Sequence, residues 1–482
     1  MNALSVKWYL IGSLGGLLAG CMVGPDYHRP PVPVPEQYKE LPSWAPAKPA
    51  DGAPKGDWWT DFHDPLLDQL EPMVAVSNQT VRQDYENYQQ ALAEVKVARA
   101  QLFPTLGITG TAARSGGPGY AGTGATTTTG TGNSGTTSAT LEGTASWVPD
   151  LWGQVRRLIE ENAAIAQSDE AVLANATLSE QTLLATTVIE LRIADANIDL
   201  QQRTVDAYRE ALRVTKAQGT VGITATPPSA VITAQVALES AEAALIGLGV
   251  GRAQYAHAIA VLVGKNPEDL DIPHSEGVPT LPAVPAGVPS TLLQRRPDIA
   301  AAERTMKAQN AAVGVAVAAY YPMLSLSASA GFSQSPLQGL LHTANHVWSI
   351  GANGTETVFD FGERHAEVRA AKAAYEAAVA SYRNTVLNAF EDVENDLSGL
   401  RILADQAKAL DTAVHDATRG AEIALAEFQA GTVDYTTVAV AQETQLSDQQ
   451  SALNVEESRL AAAVSLIGDL GGGWSASQLH DP

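Results

Sequence analysis

Few residues in this sequence could do covalent chemistry. The 482 residues include one cysteine and nine histidines, which excludes an intrachain disulfide and a cysteine-rich zinc or iron–sulfur framework. His342 and His346 have a spacing that could hold a metal on a helix, but they form no HExxH motif, and solvated loop histidines are the favoured interpretation. The sequence contains no phosphate-binding loop and no nucleophile elbow. It therefore predicts a protein that is not an enzyme and that binds no metal or dissociable cofactor.

The single cysteine, Cys21, directly follows a secretory signal. Residues 9–20 form an apolar run behind Lys7, too short to span a bilayer but typical of the hydrophobic region of a signal peptide. The run ends Leu18-Ala19-Gly20-Cys21, which resembles a bacterial lipobox. We therefore expect cleavage after residue 20, with N-acyl and S-diacylglycerol groups on Cys21. Met22, in place of an aspartate, implies sorting to the outer membrane. The alternative is an ordinary signal peptide with an incidental cysteine.

The composition limits the partners of the protein. Acidic residues number 53 and basic residues 30, which gives a formal net charge of −23. Binding to nucleic acid needs clustered Lys and Arg, so nucleic acid is excluded as a partner. Charged residues make up only 17% of the chain, against roughly 25% in soluble domains. An ordinary cytosolic enzyme is therefore not expected.

Two segments alternate between apolar and small polar residues, as strands do. The alternation covers Leu324–Ser333 and Ala139–Trp147, and segments 105–112 and 348–355 are the expected hairpin partners. Ten residues match the length of a tilted membrane-spanning strand. Glu142 should then face water, because a charge that faces lipid is costly. A soluble half-buried hairpin alternates in the same way and is the alternative.

Most of the remaining sequence has a heptad pattern typical of long packed helices. Apolar residues recur at every seventh position from Leu184 to Leu212 and again from Val379 to Phe428. Residues 157–218 alone predict about 90 Å of helix at 1.5 Å per residue. No segment after the signal peptide has eighteen uninterrupted apolar residues, so no transmembrane helix is expected.

The order of short landmarks indicates an internal repeat. Phe103-Pro104-Thr105-Leu106 recurs as Tyr321-Pro322-Met323-Leu324, and Asp150-Leu151-Trp152-Gly153 recurs as Asp360-Phe361-Gly362. The predicted organisation is a signal peptide at 1–20, a lipid-anchored proline-rich segment at 21–64, a first repeat at 65–264 with a hairpin at about 105–148, a proline-rich equatorial linker at 265–296, a second repeat at 297–470 with a hairpin at about 323–358, and a tail at 471–482.

The number of strands constrains the assembly. Open strand edges do not exist in lipid, and four strands are fewer than the eight of the smallest barrels. Two chains would give eight strands and a filled interior, whereas three would give twelve and leave a channel. The fold class expected is therefore a mixed membrane α/β protein: a cyclic trimer with a 12-stranded barrel, continued by a tube of long helices.

The sequence resembles the outer-membrane factors of tripartite efflux systems, TolC-like proteins, and is most similar to their NodT/OprM lipoprotein subgroup. The matching stretches are Cys21-Met22-Val23-Gly24-Pro25-Asp26-Tyr27, Trp58-Trp59, Ala258-Ile259-Ala260-Val261-Leu262, Val288-Pro289-Ser290 with Arg295-Arg296-Pro297-Asp298-Ile299, and Gly471-Gly472-Gly473-Trp474. The resemblance implies a homotrimer with a barrel in the outer membrane, a periplasmic helical tunnel and an equatorial belt. It also implies two partners, a periplasmic adaptor protein and an inner-membrane pump, commonly of the resistance–nodulation–division type.

Control of such a duct is expected where the tunnel narrows, at the helix-to-helix turns 219–228 and 431–436. Relatives carry an Asp-Val-Leu-Asp-Ala-like segment just after such a turn. Here the corresponding segments begin at Ala230 and at Thr437 and include Val440, without acidic residues. Asp434 is the remaining acidic candidate for a gate, and a helix-capping role for it is the alternative. Arg295, Arg296, Asp298 and Glu303 are expected to make structural contacts at the belt.

The function expected is a passive exit duct for drugs or other small toxic compounds, lipid-anchored in the cell outer membrane and extending into the periplasm. The acidic excess predicts a lumen that prefers cations. Two alternatives stay open: the exit duct of a protein-secretion system, and a lipid-anchored coiled-coil protein with no role in transport.

Overall fold

The computed structural model describes residues 22–35, 38–40, 56–115, 136–221, 228–283, 294–335 and 339–482. Cys21, the predicted signal peptide and residues 116–135 of the first predicted hairpin lie outside these residues. The α-helices of the described part are, in chain order, α1 Pro65–Ser77, α2 Gln79–Ala100, α3 Gln154–Val221, α4 Pro228–Leu262, α5 Pro297–Ala318, α6 Glu363–Gln429 and α7 Tyr435–Asp469. The strands are β1 Thr105–Ser115, β2 Thr136–Trp147, β3 Met323–Gln334 and β4 His346–Thr355.

One series of elements occurs twice. A helix of 22 residues leads into a hairpin, and a helix of 68 or 67 residues and a helix of 35 residues follow the hairpin. The longest helices extend about 100 Å at 1.5 Å per residue. Helix α3 begins three residues before the predicted start at Arg157, because Asp150 accepts hydrogen bonds from the backbone N–H groups of Val155 and Arg156 and so satisfies the free donors of its first turn.

The four strands form one antiparallel sheet in the order β1-β2-β3-β4, so β1 and β4 are its edges. The two hairpins join through β2 and β3, where Trp147 pairs with Leu326 and Ala139 with Gln334. The register places apolar side chains on one face and Ser and Thr side chains on the other. Apolar residues are exposed in the single chain, such as Ile108 at 84% and Ile350 at 80%.

The main hydrophobic core lies below the sheet, where helices from both halves of the chain meet. It contains Phe62 beside α1, Leu184 and Leu191 of α3, Ile259 of α4, and Val393 of α6. The heptad positions Leu184, Leu191 and Val393 are thus buried, as coiled-coil packing requires.

Helix α4 is, among the described helices, the one that is long and apolar enough to cross a membrane by composition alone. A single such helix is weak evidence for a membrane span. This helix has an exposed apolar stripe. Its members, each with more than half of the residue surface exposed, are Ile232, Val236, Ile246 and Val250. The chain therefore leaves an apolar helix surface uncovered. Polar residues interrupt the segment that contains the stripe, so the segment has no long uninterrupted apolar run.

Candidate functional site

The strand face that carries Glu142 is the first candidate site. Glu142 lies in β2 between Thr109 of β1 and Gly331 of β3. Its neighbours along the same face are Thr140 and Thr144. The structure therefore places Glu142 on the hydroxyl-rich face of the sheet, as the alternation predicts, and away from the apolar face.

His342 and His346, whose spacing could hold a metal only on a helix, do not share one. His342 precedes a short 3-10 turn, and His346 is the first residue of β4. The His346 ring packs edge-on against Phe332, with ring centroids 5.9 Å apart. The i, i+4 spacing therefore does not place the two side chains on one face of a helix.

The segment Met22–Pro35, called the N-terminal strap, begins beside the ends of the strands. The backbone N–H of Val23 donates to Trp152 O at 3.1 Å. Trp152 stacks on Tyr321 with ring centroids 4.9 Å apart, and its Nε1 donates to Pro322 O at 2.8 Å, one residue before β3. The residue that follows Cys21 in the chain thus lies where the sheet meets the helices.

Buried Arg157 holds the start of the strap on α3. Its Nε donates to Val23 O at 3.1 Å, and its Nη2 donates to Gly24 O at 3.3 Å and to Asp26 at 2.9 Å. Gly24 has a φ of +94°, and a Cβ there would lie 2.5 Å from the Cα of Gly314 in α5. Only glycine fits at this crossing, because a side chain would clash and the positive φ disfavours other residues.

The strap then follows α5 down to α6. Tyr27 donates to Glu303 of α5 at 3.1 Å, and burial together with the Glu303 carboxylate raises the pKa of Tyr27. Arg29 donates to the hydroxyl of Tyr382 in α6 at 2.7 Å. Glu303, expected to be a belt residue, therefore contacts the strap.

Arg296 is the centre of a charged cluster at the junction of α5, α6 and α7. It pairs with Asp298 at 2.8 Å, with Asp469 at 3.1 Å and with Asp392 at 3.5 Å. Burial, followed by the nearby Asp469 carboxyl, raises the pKa of Asp396 to about 8. Asp396 therefore keeps its proton near neutral pH. The contacts of Arg296 and Asp298 are structural, as the sequence predicts.

The candidate gate residues lie in the turn between α6 and α7, in the first turns of α7 and at the start of α4. Asp434 is the N-cap of α7: its Oδ1 accepts from Thr437 N at 3.1 Å and from Thr437 Oγ1 at 3.2 Å. Val440 is 58% exposed, and Ala230 of α4 packs against a cluster that includes Phe428 and Tyr435. The structure thus brings Asp434 and Thr437 together as a helix cap and leaves Val440 exposed in the single chain.

Replacements of Asp434 separate the two roles predicted for it. Asp434→Asn removes the charge and keeps a good N-cap, whereas Asp434→Ala removes both and costs about 1 kcal/mol of helix stability. If the carboxylate gates the duct, both variants change single-channel conductance in lipid bilayers by a similar factor. If only Asp434→Ala differs from the wild type, Asp434 is a cap and no gate.

Two ion pairs at the base of the strands were not predicted from the sequence. Arg156 donates to Asp150 at 3.1 Å, and Arg364 donates to Asp360 at 2.6 Å. Asp150 and Asp360 belong to the repeated landmark. The pairs could have been predicted from the arginine that follows each aspartate a few residues later, Arg156 and Arg364. Both pairs fix the entry of a long helix below the sheet.

Comparisons with known proteins agree with this arrangement. A family model described as outer membrane efflux protein matches residues 72–265 and 288–472. The probable efflux pump outer membrane protein TtgC of Pseudomonas putida is 32% identical over 462 residues, which cover 95% of this chain and 94% of the relative. Outer membrane protein OprJ of Pseudomonas aeruginosa is 27% identical over 95% of this chain and 94% of its own. The solved outer-membrane channel OprN is similar with a TM-score of 0.84 and 28% identity, over 94% of this chain and 100% of that one.

Proposed function

Because the chain belongs to the outer membrane efflux protein family, it is the outer-membrane component of an efflux system and serves as its exit duct; we propose that three copies form that duct around a common axis. The observation that carries the proposal is the four-stranded sheet with one apolar and one polar face and two open edges. Unpaired backbone groups cannot remain in lipid, so β1 and β4 need partners from other chains. Three sheets give a barrel of twelve strands, which leaves a channel.

The helices support continuation of the duct away from the membrane. All four strands connect at the same end of the sheet to α2, α3, α5 and α6. The apolar stripe on α4 would be covered by a neighbouring chain in such a tube. The equal lengths of the two series of elements support an origin by duplication, which gives the tube six similar helical units from three chains.

The partners and cargo follow from membership of an efflux system. We propose that a periplasmic adaptor and an inner-membrane pump, of the resistance–nodulation–division type, deliver drugs or other small toxic compounds to this duct. The names of relatives, which refer to antibiotic and toluene efflux, favour small molecules over secreted proteins as the cargo. Conduction needs no catalytic group, and no enzymatic activity is proposed.

The proposed lipid anchor is supported by the position of the strap. Met22 contacts Gly153, between the end of β2 and the start of α3. Acyl groups on the preceding residue, Cys21, would therefore start close to the level at which the strands leave the membrane. Two or more acyl chains give stable anchoring, which one chain does not.

The assembly and the duct can be tested on one preparation. The full chain is purified from outer membranes in mild detergent, weighed by native mass spectrometry and reconstituted into planar lipid bilayers. We expect a mass of three chains, a steady ion conductance, and a chain mass that lacks residues 1–20 and includes lipid on Cys21. A monomer without conductance would overturn the proposed duct, whereas an unmodified Cys21 would overturn only the anchor.

A further inference from the structure

The strand segments of this acidic protein are almost without charge. The chain has a formal net charge of −23, but residues 323–355 contain no Asp, Glu, Lys or Arg, and residues 105–147 contain only Arg114 and Glu142. The loops between the strands are included in these counts. The electrostatic potential inside a barrel built from these strands therefore depends on very few side chains.

The register puts the two charged residues on different faces of the sheet. Glu142 pairs with Thr109 and alternates with Thr140 and Thr144, so it belongs to the hydroxyl-rich face. Arg114 is six residues from Ile108 in β1, so both lie on the apolar face, and Arg114 is the penultimate residue of the strand. Glu142 is thus the one Asp, Glu, Lys or Arg on the hydroxyl-rich face of the described strands.

The position of Glu142 along the strand is also informative. It is the seventh of the twelve residues of β2, so it lies near the middle of a membrane-spanning strand. A charge at this depth is tolerated only where it faces water or a partner. No hydrogen bond or ion pair joins the Glu142 side chain to any other described residue.

Strand β3 approaches β2 closely at Glu142 and places a glycine opposite it. Its partner in β3 is Gly331, where a Cβ would lie 2.5 Å from Glu142 Cα and 2.2 Å from Leu141 O. No other residue fits at this close approach of β2 and β3. The carboxylate therefore has no side chain beside it from β3.

We propose that Glu142 determines the ion preference of the barrel. The proposal rests on the proposed trimeric duct, in which the hydroxyl-rich face lines the lumen and three copies of Glu142 lie at one level. Rings of Asp or Glu select cations in other channels, and an aqueous passage that is lined by one sign of charge and has low-dielectric walls raises the local counter-ion concentration by about an order of magnitude or more. The ligands of this ring are small inorganic cations and cationic groups of transported molecules.

Glu142→Gln tests the proposal because it removes the charge and keeps the shape. Reversal potentials are measured on reconstituted protein across a KCl gradient near 0.1 M, where the Debye length is about 10 Å. We expect the cation-to-anion permeability ratio to fall roughly threefold to tenfold while the conductance persists. Glu86→Gln is the matched control: it removes the same charge from an exposed site on α2 and should leave the ratio unchanged.

A double variant moves the ring instead of deleting it. Thr144 lies two residues along the same face and is paired with Gly107, so the site also borders a glycine. Glu142→Gln with Thr144→Glu should restore the cation preference. An unchanged ratio in Glu142→Gln would overturn the proposal and leave the duct intact, as would a failure of the double variant to restore the ratio. If the wild-type protein does not conduct, the proposed duct itself is wrong.

Discussion

Arg157→Met is expected to detach the start of the N-terminal strap from the body of the protein. The Arg157 side chain is 1% exposed and donates to the backbone carbonyls of Val23 and Gly24 as well as to Asp26 and Glu160. Asp26 is 78% exposed, so its ion pair contributes little. The larger cost comes from the two carbonyl groups and the Glu160 carboxylate, which lose a buried donor, and together this amounts to about 3 kcal/mol.

A loss of about 3 kcal/mol makes opening of the strap roughly a hundredfold more frequent. Hydrogen exchange at the Val23 amide and chymotryptic cleavage after Tyr27 measure this opening directly. Arg156→Met is the matched control, because Arg156 is the preceding residue of α3 and pairs with Asp150. Equal exchange rates in Arg157→Met and the wild type would show that other contacts of the strap, such as Tyr27 with Glu303, suffice to hold it.

Glu71→Gln is expected to raise the thermal stability of the protein above neutral pH. Glu71 is 0% exposed in α1, and neither of its carboxylate oxygens has a hydrogen-bond partner among the described residues. Burial raises the pKa of Glu71 from 4.5 to about 9. The folded chain therefore keeps a proton that the unfolded chain releases above pH 4.5. The contribution of Glu71 to stability is full below pH 4.5 and falls as pH rises toward 9, by about 1.4 kcal/mol per pH unit.

The measurement is the difference in Tm between wild type and Glu71→Gln across pH. Between pH 6 and pH 8 the wild type should lose roughly 3 kcal/mol more than the variant, a Tm difference of about 3 °C for a chain of this length. Glutamine matches protonated glutamate in shape and stays neutral at every pH. The exposed Glu86→Gln serves as control and should follow the wild type. Parallel Tm curves for wild type and Glu71→Gln would show that Glu71 ionises in a relaxed, hydrated site.

Several features of the fold could be predicted from the sequence because they are periodic. The alternation from Leu324 to Ser333 lies within β3, and the heptad positions Leu184 and Leu191 are buried in the core. A strand shows its two faces at every second residue and a packed helix shows its seam at every seventh, so the pattern is present in any short window. The paired strands and long helices therefore needed no tertiary information.

The sequence alone is compatible with two roles for Asp434, a gate and a helix N-cap. Asp434 stands just before a helix, a position that suits a charged gate and an N-cap equally. The structure adds the hydrogen bonds to Thr437, which establish the cap and leave the gate as a prediction. The lipid on Cys21 stays a prediction as well, because that residue lies outside the described part of the chain.

The positions of strands and helices could be predicted from the sequence, since they depend on patterns among neighbouring residues. The importance of single residues became clear only from the folded chain. Tyr27 contacts Glu303 across 276 positions of the chain, Arg157 contacts the strap, and Glu71 lies in an apolar core with no hydrogen-bond partner among the described residues. These contacts join distant segments, and their energies depend on burial and on the direction of each hydrogen bond. No local pattern records either property, so a charged residue that serves the fold looks the same in the sequence as one that faces solvent.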